Sequence, residues 1–232
     1  HINYTFLVRG PDSDFVLQKI NAEVFKTPTA LVYNADKISQ HLHAKVASGQ
    51  YGSQDVSPEV TINKDLFVDL GEHGFWRGIN YLPHSHSIDV VGCEADAEMA
   101  AKAFGHFSAA LTELDADTIE DVIPNFHHLP GRIELLEQAV QTDSHGRVNQ
   151  CRDWVDFVLS QQDLLQELAA VETKLPHRIC HNDTKINNML FDKRDMSSLA
   201  IIDLDTCMKG YLMYDFGDLV RTFCSPEEED ST

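Results

Sequence analysis

Residues 181–192 read His-Asn-Asp-Thr-Lys-Ile-Asn-Asn-Met-Leu-Phe-Asp, and three of their side chains have complementary chemistry at short spacing. Asp183 is a carboxylate suited to accept the proton of an attacking hydroxyl. Lys185, two residues on, is a cation that neutralises charge on a transferred anionic group. Asn188 offers an amide oxygen to a hard cation. Asp203 then ends the apolar run Ala200-Ile201-Ile202, so a strand is expected to present its carboxylate at the tip. Asp205 follows at the two-residue repeat of a strand and is expected on the same face. Carboxylate and amide oxygens, completed by phosphate oxygens and water, make a Mg²⁺ site, with Asn188, Asp203 and Asp205 as its protein ligands. A lone Asp or Asn in a loop is ordinarily a turn residue or a cap. The fixed order of these groups is what points to phosphoryl transfer onto a hydroxyl.

The surrounding elements follow from periodicity. Residues 4–8 and 15–20 are apolar and β-branched, with turn chemistry at Arg9-Gly10-Pro11-Asp12, and predict a hairpin. Thr27-Pro28 predicts a helix start, Leu31, Ala35, Ile38, Leu42 and Val46 supply its apolar face, and Gly49 closes it. Residues 66–70 and 75–79 predict a second hairpin across Gly71-Glu72-His73-Gly74. After Pro83 the pattern turns helical, through Met99, Ala103, Phe107 and Leu111, then Ile133, Leu136 and Val140. Trp154, Val158, Leu165, Leu168 and Val171 predict one long helix stopped before Pro176. Strands are expected again at 178–180, 189–191 and 199–204. A literal Asp215-Phe216-Gly217 lies one segment beyond, where Asp215 is expected to cap a helix over 216–223 or brace the 181–188 loop through backbone hydrogen bonds, with the metal role of a kinase Asp-Phe-Gly as the lesser alternative. The fold class expected is α+β, with a small β-rich lobe over 1–80 and a larger helical lobe over 81–232 that holds the catalytic loop.

Composition removes other classes. The chain has 232 residues, 43% apolar, with 18 Lys plus Arg against 37 Asp plus Glu, a formal charge of −19. So acidic a surface repels nucleic acid and anionic membranes, and a phosphorylated ligand would need its charge masked by Mg²⁺. No apolar run approaches bilayer length and no signal peptide is evident. The five scattered cysteines read as reduced thiols of a cytoplasmic protein. Phosphate-loop, dinucleotide, serine-hydrolase and zinc-protease motifs are absent. His84-Ser85-His86 and His127-His128 lack a third ligand and read as loop histidines.

The His181, Asp183 and Asn188 spacing is that of a kinase catalytic loop. Together with Asp203 and the strand-rich beginning, the chain resembles the aminoglycoside phosphotransferase and choline kinase group, and within it the N-acetylhexosamine 1-kinases. Further segments carry the likeness: Val16-Leu17-Gln18-Lys19-Ile20-Asn21, Phe75-Trp76-Arg77, Ile123-Pro124-Asn125-Phe126-His127 and residues 202–222. The resemblance implies a protein-kinase-like fold and ATP as co-substrate, with adenine against Asn80-Tyr81-Leu82 and further contacts from Gln18 and Lys19. It implies Asp183 as base and Asn188 and Asp203 as Mg²⁺ ligands. The acceptor would be the anomeric hydroxyl of N-acetylglucosamine or N-acetylgalactosamine, with His1, Phe126, His127, Arg132 and Phe223 on the sugar side. Other small alcohols (homoserine, choline, an aminoglycoside) are the second reading, and a nucleotide-binding module without transfer the third.

The chain departs from the kinase pattern. Gln18 stands where a strand Lys is expected, Lys19 points to the other face, and the helix over 29–46 holds no Glu to pair with either. The resemblance also implies a first strand and phosphate-covering loop before residue 3 and further helices beyond 232.

Overall fold

The computed structural model describes residues 2–52, 59–60, 65–225 and 227. The chain divides into two compact units, His1–Ile123 with His177–Thr232, and Pro124–Pro176. In the first, β1 (Tyr4–Val8) and β2 (Phe15–Ile20) pair antiparallel as the expected hairpin. The helix α1 (Pro28–Ala47) begins with its proline in the first turn, and Leu31, Ala35, Ile38 and Leu42 are all buried along one stripe. Thr27 stands at its N-cap, but the hydroxyl makes no capping bond. Gly49 follows the helix with φ 73°, a left-handed conformation that costs glycine little.

A short strand that the sequence left unread, β3 (Glu59–Val60), precedes β4 (Phe67–Asp69) and β5 (Phe75–Asn80). The sheet runs β1-β2-β5-β3, with β4 also on β5, and every pairing is antiparallel. Register sets Gln18 directly opposite Arg77 and Lys19 opposite Trp76. Lys19 therefore lies on the opposite face from Gln18, and its stem passes over Gly74, where a Cβ would stand 2.5 Å from Lys19 Cε. The expected lobe boundary at 80/81 falls at the end of β5, inside the first unit.

The first unit continues with β6 (Ser85–His86) and α2 (Glu94–Ala110). The second unit holds α3 (Leu129–Thr142), α4 (Arg152–Leu159) and α5 (Gln162–Glu172). The single long helix expected through Trp154 and Val171 is thus two. Its break falls at Ser160 and Gln161, where the Ser160 hydroxyl donates to Phe157 O (2.7 Å) and competes with helix continuation. Trp154, expected on the buried face, is 74% exposed, and Val155 is buried in its place.

The chain returns to the first unit with β7 (Arg178–Cys180), β8 (Met189–Asp192), β9 (Ser198–Ile201), β10 (Met208–Gly210) and α6 (Leu212–Phe223). β7 pairs with β10, and β8 lies between β6 and β9. The core forms where Ile38 and Leu42 of α1 and Phe104 and Phe107 of α2 meet Ile186, Met189, Phe191 and Ile201.

Two polar devices hold the loop between β7 and β8. Asp215, in the first turn of α6, accepts the backbone N–H groups of His181 (2.9 Å) and Asn182 (2.8 Å). Of the roles open to Asp215 from sequence, the structure has the brace. His181 is fully buried, touches Phe104 and Phe107 edge-on, and donates through Nε2 to Ile202 O (3.0 Å). Replacing Asp215 by Ala leaves two buried N–H groups unpaired, which should lower stability by about 3 kcal/mol in urea unfolding. A loss below about 1 kcal/mol would show that the loop holds itself without the brace.

Candidate active site

The loop that Asp215 braces delivers its side chains to a cavity of 1360 Å³ in the first unit. Asn182 adopts a left-handed conformation (φ 63°), held by its own amide donating to Thr206 O (2.9 Å). That turn brings out Asp183, which is half-buried, lines the cavity and pairs with Lys185 Nζ at 3.2 Å. Asn188 is buried beneath. Its amide nitrogen donates to both Asp183 O (2.8 Å) and Asp183 Oδ2 (2.9 Å). With its donor group committed to Asp183, Asn188 keeps Oδ1 as an acceptor.

Asp203 stands on the same cavity wall, but not at a strand tip. β9 ends at Ile201, and Asp203 takes a left-handed conformation (φ 59°, ψ 60°) before a single 3₁₀ turn, Leu204–Thr206. This break removes the strand repeat on which the expected shared face of Asp203 and Asp205 rests, since that repeat holds only while the chain is extended, although both residues line the same cavity. Asp205 is buried, and its carboxylate is taken from both sides. Arg77 pairs with Oδ1 and Asn3 Nδ2 donates to Oδ2 at 2.7 Å.

Asp203 is open to the cleft, while the walls around it displace much of the surrounding solvent. Burial, then repulsion from Asp205, pushes its carboxyl up to about 6, against a smaller lowering by Arg77. Among the described residues no side chain donates a hydrogen bond to Asp203. A carboxylate open to the cleft without side-chain donors, on the same cavity as the Asn188 amide oxygen, is a donor set that fits a hard divalent cation. Among the described residues no cluster of three or more His, Cys, Asp or Glu could form a cage by itself. Asn188 and Asp203 fit a cation that shares its other positions with phosphate and water.

The other expected site residues separate into groups. Gln18, Asn80, Tyr81 and Leu82 line the cavity, whereas Lys19 is not among its lining residues. Gln18 is already engaged, accepting from Arg77 Nε (3.0 Å) and NH2 (2.7 Å) through Oε1 and donating to Thr5 Oγ1 (3.1 Å). Phe223 packs against the hydrophobic core rather than lining the cavity, because α6 turns that face inward. Phe126, His127 and Arg132 belong to the second unit, where Arg132 donates to Phe126 O (2.8 Å) and the rings of Phe126 and His127 lie 4.7 Å apart. His1 lies outside the described residues.

Arg77 is the site residue that the sequence reading passed over as a role. Its side chain is only 2% exposed, yet it borders the cavity between Gln18 and Asp205. The signal was present in β5, where Phe75, Arg77 and Ile79 share a face and one charge stands among apolar neighbours. Asp89, Ser85, Ser87 and Arg221 also line the cavity.

The model of the phosphotransferase enzyme family matches residues 1–230. Among solved structures, the GDP complex of aminoglycoside 2'-phosphotransferase-IIIa aligns with a TM-score of 0.58 at 15% identity, over 95% of this chain and 69% of that one. An aminoglycoside phosphotransferase from Alicyclobacillus acidocaldarius subsp. acidocaldarius DSM 446 gives 0.58 at 16%, over 95% and 67%. A thermostable mutant of aminoglycoside phosphotransferase APH(4)-Ia, in ternary complex with ADP and hygromycin B, gives 0.53 at 13%, over 94% and 68%. At such identities the likeness is one of fold, and it agrees with the expected kinase-like α+β class, a β-sheet part followed by a helical remainder. Because the family match extends over almost the whole chain, this protein belongs to the phosphotransferase enzyme family.

Proposed function

We propose that this chain is a Mg²⁺- and ATP-dependent small-molecule kinase that phosphorylates the anomeric hydroxyl of an N-acetylhexosamine. The observation that carries the kinase reading is the convergence of Asp183, Lys185, Asn188 and Asp203 on one cavity that Asn80, Tyr81 and Leu82 also line. Support for the hexosamine comes from the sequence resemblance over 16–21, 75–77, 123–127, 181–192 and 202–222.

In this reading the acceptor hydroxyl lies against Asp183. Its oxygen forms a bond to the γ-phosphorus as the bond to the bridging oxygen of ADP breaks, and its proton passes to the Asp183 carboxylate. Asn188 fixes that carboxylate through its Oδ2, leaving the other oxygen, Oδ1, 3.2 Å from Lys185. The ammonium of Lys185 neutralises charge on the moving phosphoryl group. Asn188 and Asp203 would hold Mg²⁺, which when bound masks phosphate charge in a cavity that Asp89 and Glu227 also line.

A second reading keeps the mechanism and changes the acceptor to an aminoglycoside. It is favoured by the acidic cavity lining, which suits a polycation, and solved relatives carry kanamycin and hygromycin B. Coupled detection of ADP with N-acetylglucosamine, N-acetylgalactosamine, kanamycin, homoserine and choline as acceptors separates these readings. Turnover with N-acetylhexosamines alone supports the first, and turnover with kanamycin alone overturns it.

Asp183→Asn should lower turnover by about 10³-fold, with ATP affinity by calorimetry held within about threefold. Near-normal turnover would remove Asp183 as the base. The raised carboxyl of Asp203 gives a second expectation. Its folded-state value of about 6 exceeds the ordinary 3.8, so the ionised form costs stability above pH 6 and the cost is gone below pH 3.8. Asp203→Asn should therefore raise the melting temperature of the metal-free protein at pH 7.5. The gain should fade by about pH 4, and the stabilisation by Mg²⁺ with ADP should disappear. A lower melting temperature at pH 7.5 would contradict the crowding of carboxylates around Asp203.

A further inference from the structure

We infer that Arg77 is a positioning residue for the cation site: it seats Asp205 as a strut, so that Asp203 is the carboxylate the turn turns toward the cleft. The inference rests on the cation-site reading proposed above. It starts from the disagreement between sequence and structure at Asp205, which by spacing is a ligand and by geometry is spent. Arg77 reaches Asp205 from 128 positions away, with both side chains 2% exposed. Asn3 takes the other carboxylate oxygen and itself accepts the backbone N–H of Asn21 (3.0 Å). The turn is thus tied to the sheet at position 205. At position 206 it is tied to the catalytic loop, since Thr206 Oγ1 donates to His181 O (2.7 Å) and Asn182 donates to Thr206 O.

Between these ties and β9 the chain must pass through Asp203 in a left-handed conformation, which a non-glycine residue keeps only when its surroundings impose it. The strut is such a constraint. Gln18 belongs to the same device. A lysine there would set an ammonium against the guanidinium, whereas the amide oxygen of Gln18 accepts from Arg77 twice. A Gln rather than a Lys at position 18 of β2, and the absence of a Glu on α1, then have a physical sense, because the buried ion pair runs instead from β5 to the turn of Asp203.

The sign of one effect separates this role from plain electrostatics. Removing a cation beside a metal site should tighten divalent-ion binding by Coulomb's law alone. Removing a positioning residue should weaken it. The test is titration of the metal-free full chain, saturated with ADP, with MnCl₂, free Mn²⁺ being read by electron paramagnetic resonance and folding by thermal melting. Asp203→Asn should weaken Mn²⁺ binding at least tenfold with the fold intact, and binding like the parent would refute the cation site and the strut with it. Arg77→Met should weaken binding about tenfold and lower the melting temperature, while Arg77→Lys, keeping charge without the two-pronged contact, should weaken it about threefold. The pair Arg77→Met with Asp205→Leu replaces the buried ions by apolar groups of similar volume, an exchange that buried pairs often tolerate. It should restore Mn²⁺ affinity to within about threefold of the parent. Unchanged or tighter binding in either single Arg77 variant overturns the inference. So does a double variant that melts like the parent yet does not bind Mn²⁺, since Asp205 would then be a ligand.

Discussion

The carboxylate of Asp215 is the constraint on which the site depends. By accepting two consecutive backbone N–H groups it fixes the chain at His181 and Asn182, where Asn182 takes a left-handed turn. Everything the loop presents follows from that anchor. Thr184 Oγ1 donates to the backbone oxygen of Asp215 (2.7 Å), and the Thr184 N–H donates to Asp218 one turn further along α6 (2.7 Å). One helix face therefore holds His181, Asn182 and Thr184 on both sides of Asp183, and the 3₁₀ turn at Ile186–Asn188 carries the register on to Asn188. Buried charge used in this way rigidifies because every backbone donor it meets would be costly to leave unpaired.

An excess of acid is compatible with phosphate chemistry when the acids are given different tasks. Asp215 is consumed by backbone, Asp205 by Arg77 and Asn3, and Asp183 by Asn188 and Lys185. Asp203 alone among these four has no donor in the described residues, and its carboxyl is the one pushed upward by burial and by its neighbours. The division of labour is set by geometry, since all four side chains have the same intrinsic chemistry. A formal charge of −19 accordingly describes how the surface meets polyanions and says little about a single deep cleft.

Much of this was legible in the sequence, for identifiable reasons. The hairpin at 4–20, α1 and the loop at 181–188 are specified locally, by alternation, by a Pro and a Gly at the ends of an apolar stripe, and by fixed offsets between polar groups. What stayed hidden depends on contacts between distant residues. The bend at Asp203 cannot be inferred from a run of apolar residues followed by Asp-Leu-Asp, because only the ties at Asp205 and Thr206 impose it. The division of the 152–172 helix hinges on a serine hydroxyl choosing a backbone acceptor. Phe223 faces the core because of how α6 is rotated, which its composition does not disclose.

The pairing of Arg77 with Asp205 also bears on how the chain acquires its fold. The strand β5 has all its sheet partners within the first 80 residues, so the sheet can assemble from contacts close in sequence. Its guanidinium cannot be desolvated with a carboxylate until the chain is complete to position 205. Until then Gln18 offers that charge only a neutral amide oxygen. Closing the sheet over its cation is therefore a late event that waits on long-range contact, a topology that slows folding. The same contact fixes the turn that carries Asp203 on the cavity wall, so the shape of the cleft and completion of the fold arrive together.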